Sequence, residues 1–218
     1  MLVGTIDALR RYPVKSLAGE TLESVEVGES GIPGDRAGAF FVRSGSERIG
    51  KLYRGKEHDR LHLVETAGAA RASAAARGVG VELENGEHFF DDAPISLLVD
   101  RWLDSLSAHV GYAVEWERFR PNFFVRAATG FDEEEQALTG DELELGSVLL
   151  RVRGPIERCV TPTYHPRGGA TDPRILRFLA QQRDTWMGIY CDVVRPGSVR
   201  VGDVVKRRRE DGASAHTR

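Results

Sequence analysis

Cys159 is the side chain in this sequence with the clearest capacity for chemistry, and its neighbours define what that chemistry could be. It lies in Arg153-Gly154-Pro155-Ile156-Glu157-Arg158-Cys159-Val160-Thr161-Pro162. A cation directly beside a thiol favours the thiolate, the form that attacks electrophiles and ligates soft metals. The apolar run 148–152 reads as a strand. Gly154-Pro155 is expected to break that run and present the thiol on a loop. Without such neighbours, a cysteine reads as a small buried hydrophobe.

Three further segments offer partners for an anion. Tyr12-Pro13-Val14-Lys15-Ser16 ends a strand-like run, and the Lys15 ammonium with the Ser16 hydroxyl and N–H suits a phosphate. Gly31-Ile32-Pro33-Gly34-Asp35-Arg36 makes a tight turn that aims Arg36 either at a ligand or into a structural pair with Asp35. Phe119-Arg120-Pro121-Asn122 sets a proline between two apolar strands, where it cannot donate a ladder hydrogen bond. That bend is expected to turn Arg120 and Asn122 into one pocket with Cys159. Arginine brings a forked cation for phosphate, and asparagine a donor and acceptor for a heterocycle edge.

The elements that must position these groups are mostly short strands, expected at 3–10, 22–27, 37–42, 60–64 and 79–83. Asn85-Gly86 predicts a type I′ hairpin joining 79–84 to 87–90. The Ala/Gly-rich stretch 67–80 reads as a short helix or a loose loop. A helix is predicted from Asp92, with Pro94 in its first turn and Ile95, Leu98, Val99, Trp102, Leu106 and Val110 on one face. Strands follow at 112–119, 123–127 and 143–152. A second helix starts at Asp172-Pro173 and buries Ile175, Leu176, Phe178 and Leu179. Strands at 187–194 and 198–205, turning at Pro196-Gly197, close the fold. Many short strands and two clear helices predict a mainly β, α+β architecture of barrel type.

Composition narrows the functional class. The 218 residues are 41% hydrophobic and 29% charged, the balance of an ordinary globular chain. A formal charge of -3 gives no global electrostatic case for nucleic-acid binding. No apolar run approaches membrane-spanning length, and the first residues lack the pattern of a signal peptide. Two cysteines on dissimilar segments make no disulfide framework and point to a reducing cytoplasm.

Read in order, five segments resemble the MOSC family, named for the C-terminal domain of molybdenum-cofactor sulfurase. They are Tyr-Pro-Val-Lys-Ser (12–16), Gly-Ile-Pro-Gly-Asp-Arg (31–36), Arg-Pro-Asn (120–122), Glu-Arg-Cys (157–159) with Thr161, and Arg-Pro-Gly-Ser-Val-Arg-Val-Gly-Asp (195–203). The resemblance implies a MOSC-type β-barrel core with an associated N-terminal β-barrel-like subdomain. The implied division is 1–91 for the N-terminal region, 92–206 for the MOSC domain, and 207–218 for a disordered basic and polar tail. It implies that Cys159 ligates the molybdenum of a molybdopterin cofactor. Lys15, Ser16 and Arg36 would contact its phosphate, Arg120, Asn122 and Arg158 would position its pterin, and Thr161 would join this set.

The implied activity, that of the amidoxime-reducing component type, is reduction of N-hydroxylated or related N-oxygenated small molecules. Its electrons would come from a separate redox protein, because Cys159 and Cys191 cannot build a four-cysteine iron–sulfur site. One segment departs from the family pattern. Where a Ser/Thr-rich stretch is expected, 94–102 keeps only Ser96 as a hydroxyl and carries Asp100-Arg101. An anionic Asp100 near a phosphate is unfavourable unless Arg101 neutralises it. Two other readings use the same thiol: a sulfur carrier or sulfurtransferase holding a persulfide on Cys159, and a nucleophilic enzyme pairing Cys159 with His165. A non-catalytic scaffold that binds a partner is a further alternative.

Overall fold

The structure is a computed structural model describing residues 1–86 and 88–208. In chain order it forms β1 (Leu2–Arg11), β2 (Glu20–Leu22), β3 (Ser24–Val27), β4 (Gly38–Ser44), α1 (Ala67–Ala75) and β5 (Gly80–Asn85). Then come β6 (Ile95–Val99), α2 (Asp104–Val110), β7 (Phe123–Ala127), β8 (Glu142–Leu145) and β9 (Val148–Glu157). α3 (Pro173–Gln182), β10 (Trp186–Arg195), β11 (Gly197–Arg200) and β12 (Val204–Arg208) complete it.

Among the described residues, seven strands close a barrel in the order β12-β8-β9-β10-β6-β7-β1, with β1 returning onto β12. Every pair in that ring is antiparallel except β6 with β7. β2 extends the sheet beyond β1, β3 pairs with β11, and β4 with β5 forms a separate ribbon. In β1 the buried residues are Val3, Gly4, Ile6 and Leu9, a spacing that strict alternation would not produce. Register shifts between Leu2 and Gly4 and between Ile6 and Ala8 account for it, since each bulge resets which side chains face inward. The barrel interior is a continuous apolar core. A smaller core of Leu17, Phe40, Val42, Tyr53, Leu61, Ala70 and Ala74 lies under α1 and the β4–β5 ribbon.

Several sequence expectations change here. The helix predicted from Asp92 begins as β6, in which all five residues are buried. A strand covered on both faces shows no polar alternation, so its apolar run passes for a helical face. Helical geometry starts only with the 3₁₀ turn Asp100–Leu103 and α2. The expected strands at 60–64 and 112–119 contain instead the 3₁₀ turns Leu61–Leu63 and Trp116–Phe119. The runs 22–27, 143–152 and 198–205 each divide between two strands. β5 pairs with β4, so Asn85-Gly86 does not fold it onto 88–90; residue 87 lies outside the described residues. The stretch 67–80 contains α1, capped by the Thr66 hydroxyl.

Arg207 and Arg208 belong to β12 and are no part of a tail, and Arg207 is buried; 209–218 lie outside the described residues. A cut at residue 91 would pass through the barrel sheet, because β1 stands between β7 and β12. Among the described residues, no helix is long and apolar enough to cross a membrane.

Candidate functional site

β9 delivers the thiol. It runs through Gly154-Pro155 to Glu157 and does not end there as expected; Gly154 pairs with Tyr190 at φ +155, beside a register shift against β10. Only glycine adopts that backbone readily, so the Gly-Pro pair bends the strand without breaking it. Arg158 then hydrogen-bonds Thr185 through its backbone, and Cys159 follows as an exposed free thiol. A 3₁₀ turn, Thr161–Thr163, begins two residues on and brings Thr161 Oγ1 to 3.3 Å from Cys159 Sγ.

The thiol opens onto a cleft whose walls include Lys15, Ser16, Arg36, Arg120, Arg158 and Thr161. Segments distant in the sequence thus converge as the spacing suggested, with the exception of Asn122. Lys15 Nζ pairs at 2.6 Å with Asp91, whose side chain is 75% exposed. Ser16, Arg36 and Arg120 all have positive φ, at 71°, 48° and 53°. Such left-handed residues cost free energy unless the surroundings hold them, and they cluster at ligand clamps. Arg36 bonds Asp35 and, at 3.2 Å, the Arg120 carbonyl.

The ring of Tyr12, fully buried, is the platform of this cationic group. The guanidinium carbons of Arg120, Arg36 and Arg10 lie 4.2, 4.7 and 5.8 Å from its centroid. Arg120 donates to the Leu17 carbonyl at 2.6 Å. Burial, with further repulsion from Arg36 and Arg10, pushes its pKa down to about 10. Arg158 is held by two carbonyls, Nε to Met187 at 2.7 Å and Nη1 to Phe119 at 2.9 Å. Burial lowers it to about 10 as well, against the opposing effects of Tyr190 and Cys159. Its Nη2 is buried and has no hydrogen-bond partner among the described residues, an unsatisfied donor in a residue that lines the cleft.

Asn122 does not face the cleft. It is 1% exposed, and its Oδ1 accepts from the Ser96 N–H at 3.0 Å and the Ser96 hydroxyl at 2.9 Å. Arg36 Nη1 approaches the same oxygen at 3.4 Å. Its expected place beside the pterin is therefore corrected: every strong acceptor direction is already taken, and the carboxamide fixes Ser96 and Arg36 from behind. Asp100 also lies off the cleft, accepting from the backbone N–H groups of Arg101 and Ala127. It opposes no anion there.

The rim joins both halves of the chain. His62 stacks on Tyr164 at 5.8 Å, its Nε2 meets the His165 carbonyl at 2.8 Å, and Tyr164 donates to the Gly55 carbonyl at 2.9 Å. Burial lowers the His62 pKa, so the ring is neutral at pH 7. Sequence reasoning missed His62, Tyr190 and Arg118 as wall residues, and Tyr12 as the buried ring beneath the arginines. Tyr12 heads the recognised segment, but nothing local reveals that three arginines gather on its ring. His165 Nε2 lies 3.2 Å from Glu115 Oε1, and among the described residues the Cys159 thiol bonds Thr161 instead. Cys191 lies in the core, where burial raises its pKa.

Among the described residues, no group of three or more His, Cys, Asp or Glu side chains forms a metal cage. A metal at this cleft would take one protein ligand, the Cys159 thiolate, and its other ligands from a cofactor. Surrounding cations and an unsatisfied guanidinium donor suit a cofactor that bears an anion.

Comparisons with known proteins find family matches along most of the chain. A MOSC domain family model matches residues 84–206, and the MOSC N-terminal beta barrel domain matches residues 3–89. Mitochondrial amidoxime reducing component 2 of Macaca fascicularis is 32% identical over 130 residues, 54% of this chain and 38% of that protein. Molybdenum cofactor sulfurase of Drosophila mojavensis is 34% identical over 76 residues, 34% of this chain and 9% of that protein. The chain therefore spans less than half the length of these relatives. The crystal structure of the YUAD protein from Bacillus subtilis has a similar fold, with TM-score 0.58 at 18% identity, covering 94% of this chain and 96% of that one.

Proposed function

The chain belongs to the MOSC domain family, and from that premise we propose that it binds a molybdopterin-type molybdenum cofactor and reduces N-hydroxylated or related N-oxygenated small molecules. One observation carries the reading: the exposed Cys159 thiol shares a cleft with five cationic side chains, Lys15, Arg36, Arg118, Arg120 and Arg158, and the last keeps a buried Nη2 donor without a partner among the described residues. The residues present fit the group. When bound, the cofactor supplies the two-electron chemistry that breaks the N–O bond, consuming two electrons and two protons and releasing the amine or amidine and water.

This chain's residues bind and orient. Cys159 would be the metal ligand, a soft thiolate for a sulfur-rich centre, with Thr161 fixing the direction of Sγ. Lys15, Ser16 and Arg36 would hold the phosphate. A phosphate competes with Asp91 for Lys15, and releasing that exposed partner costs at most about 1 kcal/mol. Arg120 and Arg158 would position the pterin, with Asn122 bracing Ser96 and Arg36. A separate redox protein would donate the electrons. Two free thiols agree with a reducing compartment such as the cytoplasm.

Molybdenum and pterin content of the protein from a cofactor-producing host, beside Cys159→Ser, tests the proposal. Near-stoichiometric metal in the parent and its loss from the folded variant are expected. Absence of both metal and pterin from the parent would overturn it. A second reading, a sulfur carrier with a persulfide on Cys159, draws on the thiol's exposure and the sulfurase similarity. It requires Cys159 but neither Lys15 nor Arg36, so variants at those two residues separate the readings.

A further inference from the structure

A second chamber adjoins the cleft across a shared wall of His62, Arg118, Arg120, Thr161 and Tyr164. Its remaining cations are Arg10 and Arg167, and its carboxylates are Glu65 and Glu117. The charges are unequally matched. Arg118 is paired with Glu115 at 2.7 Å, and the exposed Arg167 lies 3.5 Å from Glu117 and 3.7 Å from Glu115. Among the described residues, Arg10 and Arg120 have only carbonyl acceptors, Gly19 at 2.7 Å and Leu17 at 2.6 Å. Arg10 Nε is buried without a hydrogen-bond partner. Both guanidinium groups share the Tyr12 ring with Arg36, and the carboxylate next to that group, Asp35, is bonded to Arg36. Grouped cations of this kind are stabilised when an anion joins them, and a guanidinium fork matches an oxyacid.

We infer that the second chamber binds an anionic oxyacid tail, carboxylate or phosphate, on the small-molecule substrate, with Arg10 as its receptor beside Arg120, which lies on the wall shared with the cofactor cleft. Such a tail places the rest of the ligand against Thr161 and Tyr164, beside Cys159. This assignment rests on the reductase reading for calling the ligand a substrate; the anion site itself does not. Glu65 and Glu117 disfavour a second negative charge at the mouth, so the chamber takes one anionic group.

Calorimetric binding of three probes tests this: an aromatic amidoxime, its para-carboxylate analogue and its para-phosphonate analogue. The purified full chain would be used with its molybdenum content measured on the same sample. At least one charged analogue should bind the parent protein on the order of tenfold tighter than the neutral probe. Arg10→Gln should erase that preference while leaving the molybdenum content unchanged. Equal affinity for all three probes in the parent would overturn the inference, whatever the variant does. A preference that survives in folded Arg10→Gln would overturn the assignment as well. Metal-free protein that retains the Arg10-dependent preference would keep the anion site while removing the reductase reading.

Discussion

Individual side chains at the cleft act through what holds them. Arg158 can leave Nη2 open because two carbonyls fix its other nitrogens. One of those carbonyls, on Met187, precedes Gly188, whose N–H donates to the buried Glu135 at 3.1 Å. Gly188 has φ +84, and a Cβ there would sit 2.9 Å from the Leu97 carbonyl and 3.1 Å from Arg158 Nη2. Gly188→Ala should therefore lower stability by about 1–3 kcal/mol and also displace the guanidinium. Urea unfolding read together with pterin content checks both parts. A variant that loses stability but retains pterin in full would separate Gly188 from the cleft.

Single elements carry their own electrostatics, and α3 shows it best. Its N-cap, Asp172, accepts from the Arg174 backbone, and its carboxylate bonds the Arg174 guanidinium and Tyr112. Foremost the Arg174 bond, opposed by partial burial and aided by Tyr112, holds this carboxyl well below the usual carboxylate range. The sign follows from linkage. Because the folded pKa is depressed, the unfolded chain takes up the proton first as pH falls. Stability from Asp172 is thus fully present above about pH 5 and lost progressively below about pH 4. Asp172→Ala should cost about 1 kcal/mol at pH 7 through the lost cap, and the gap to the parent should narrow in melts at pH 3. A gap of constant size at both pH values would contradict this account.

At the scale of the molecule, the barrel depends on β1. It pairs with β7 on one side and β12 on the other, while β3 pairs with β11. A chain of residues 92–208 would leave β7 and β12 with open edges, the condition that leads strands to aggregate. It should fail to give a cooperative melt alone and recover one when co-expressed with residues 1–91. A sharp transition in the isolated fragment would show that the division at residue 91 separates two independently folding units.

The local chemistry was legible in the sequence. A glycine-proline turn aims Arg36, the cap at Asp172 starts a helix, and Lys15, Ser16 and Cys159 present polar groups at strand ends; each depends on a few neighbouring residues. Even the barrel class was readable, because frequent turns between short apolar runs leave few other ways to bury them. Tertiary structure alone decided which way the groups face. Asn122 and Arg120 are neighbours but one, yet the carboxamide turns to Ser96 and the Arg10 carbonyl, 112 residues away, while the guanidinium stacks on Tyr12. β6 likewise reads as a helix until β10 and β7 flank it. Periodicity records a chain's own geometry, whereas burial and side-chain direction depend on partners that only the closed barrel brings together.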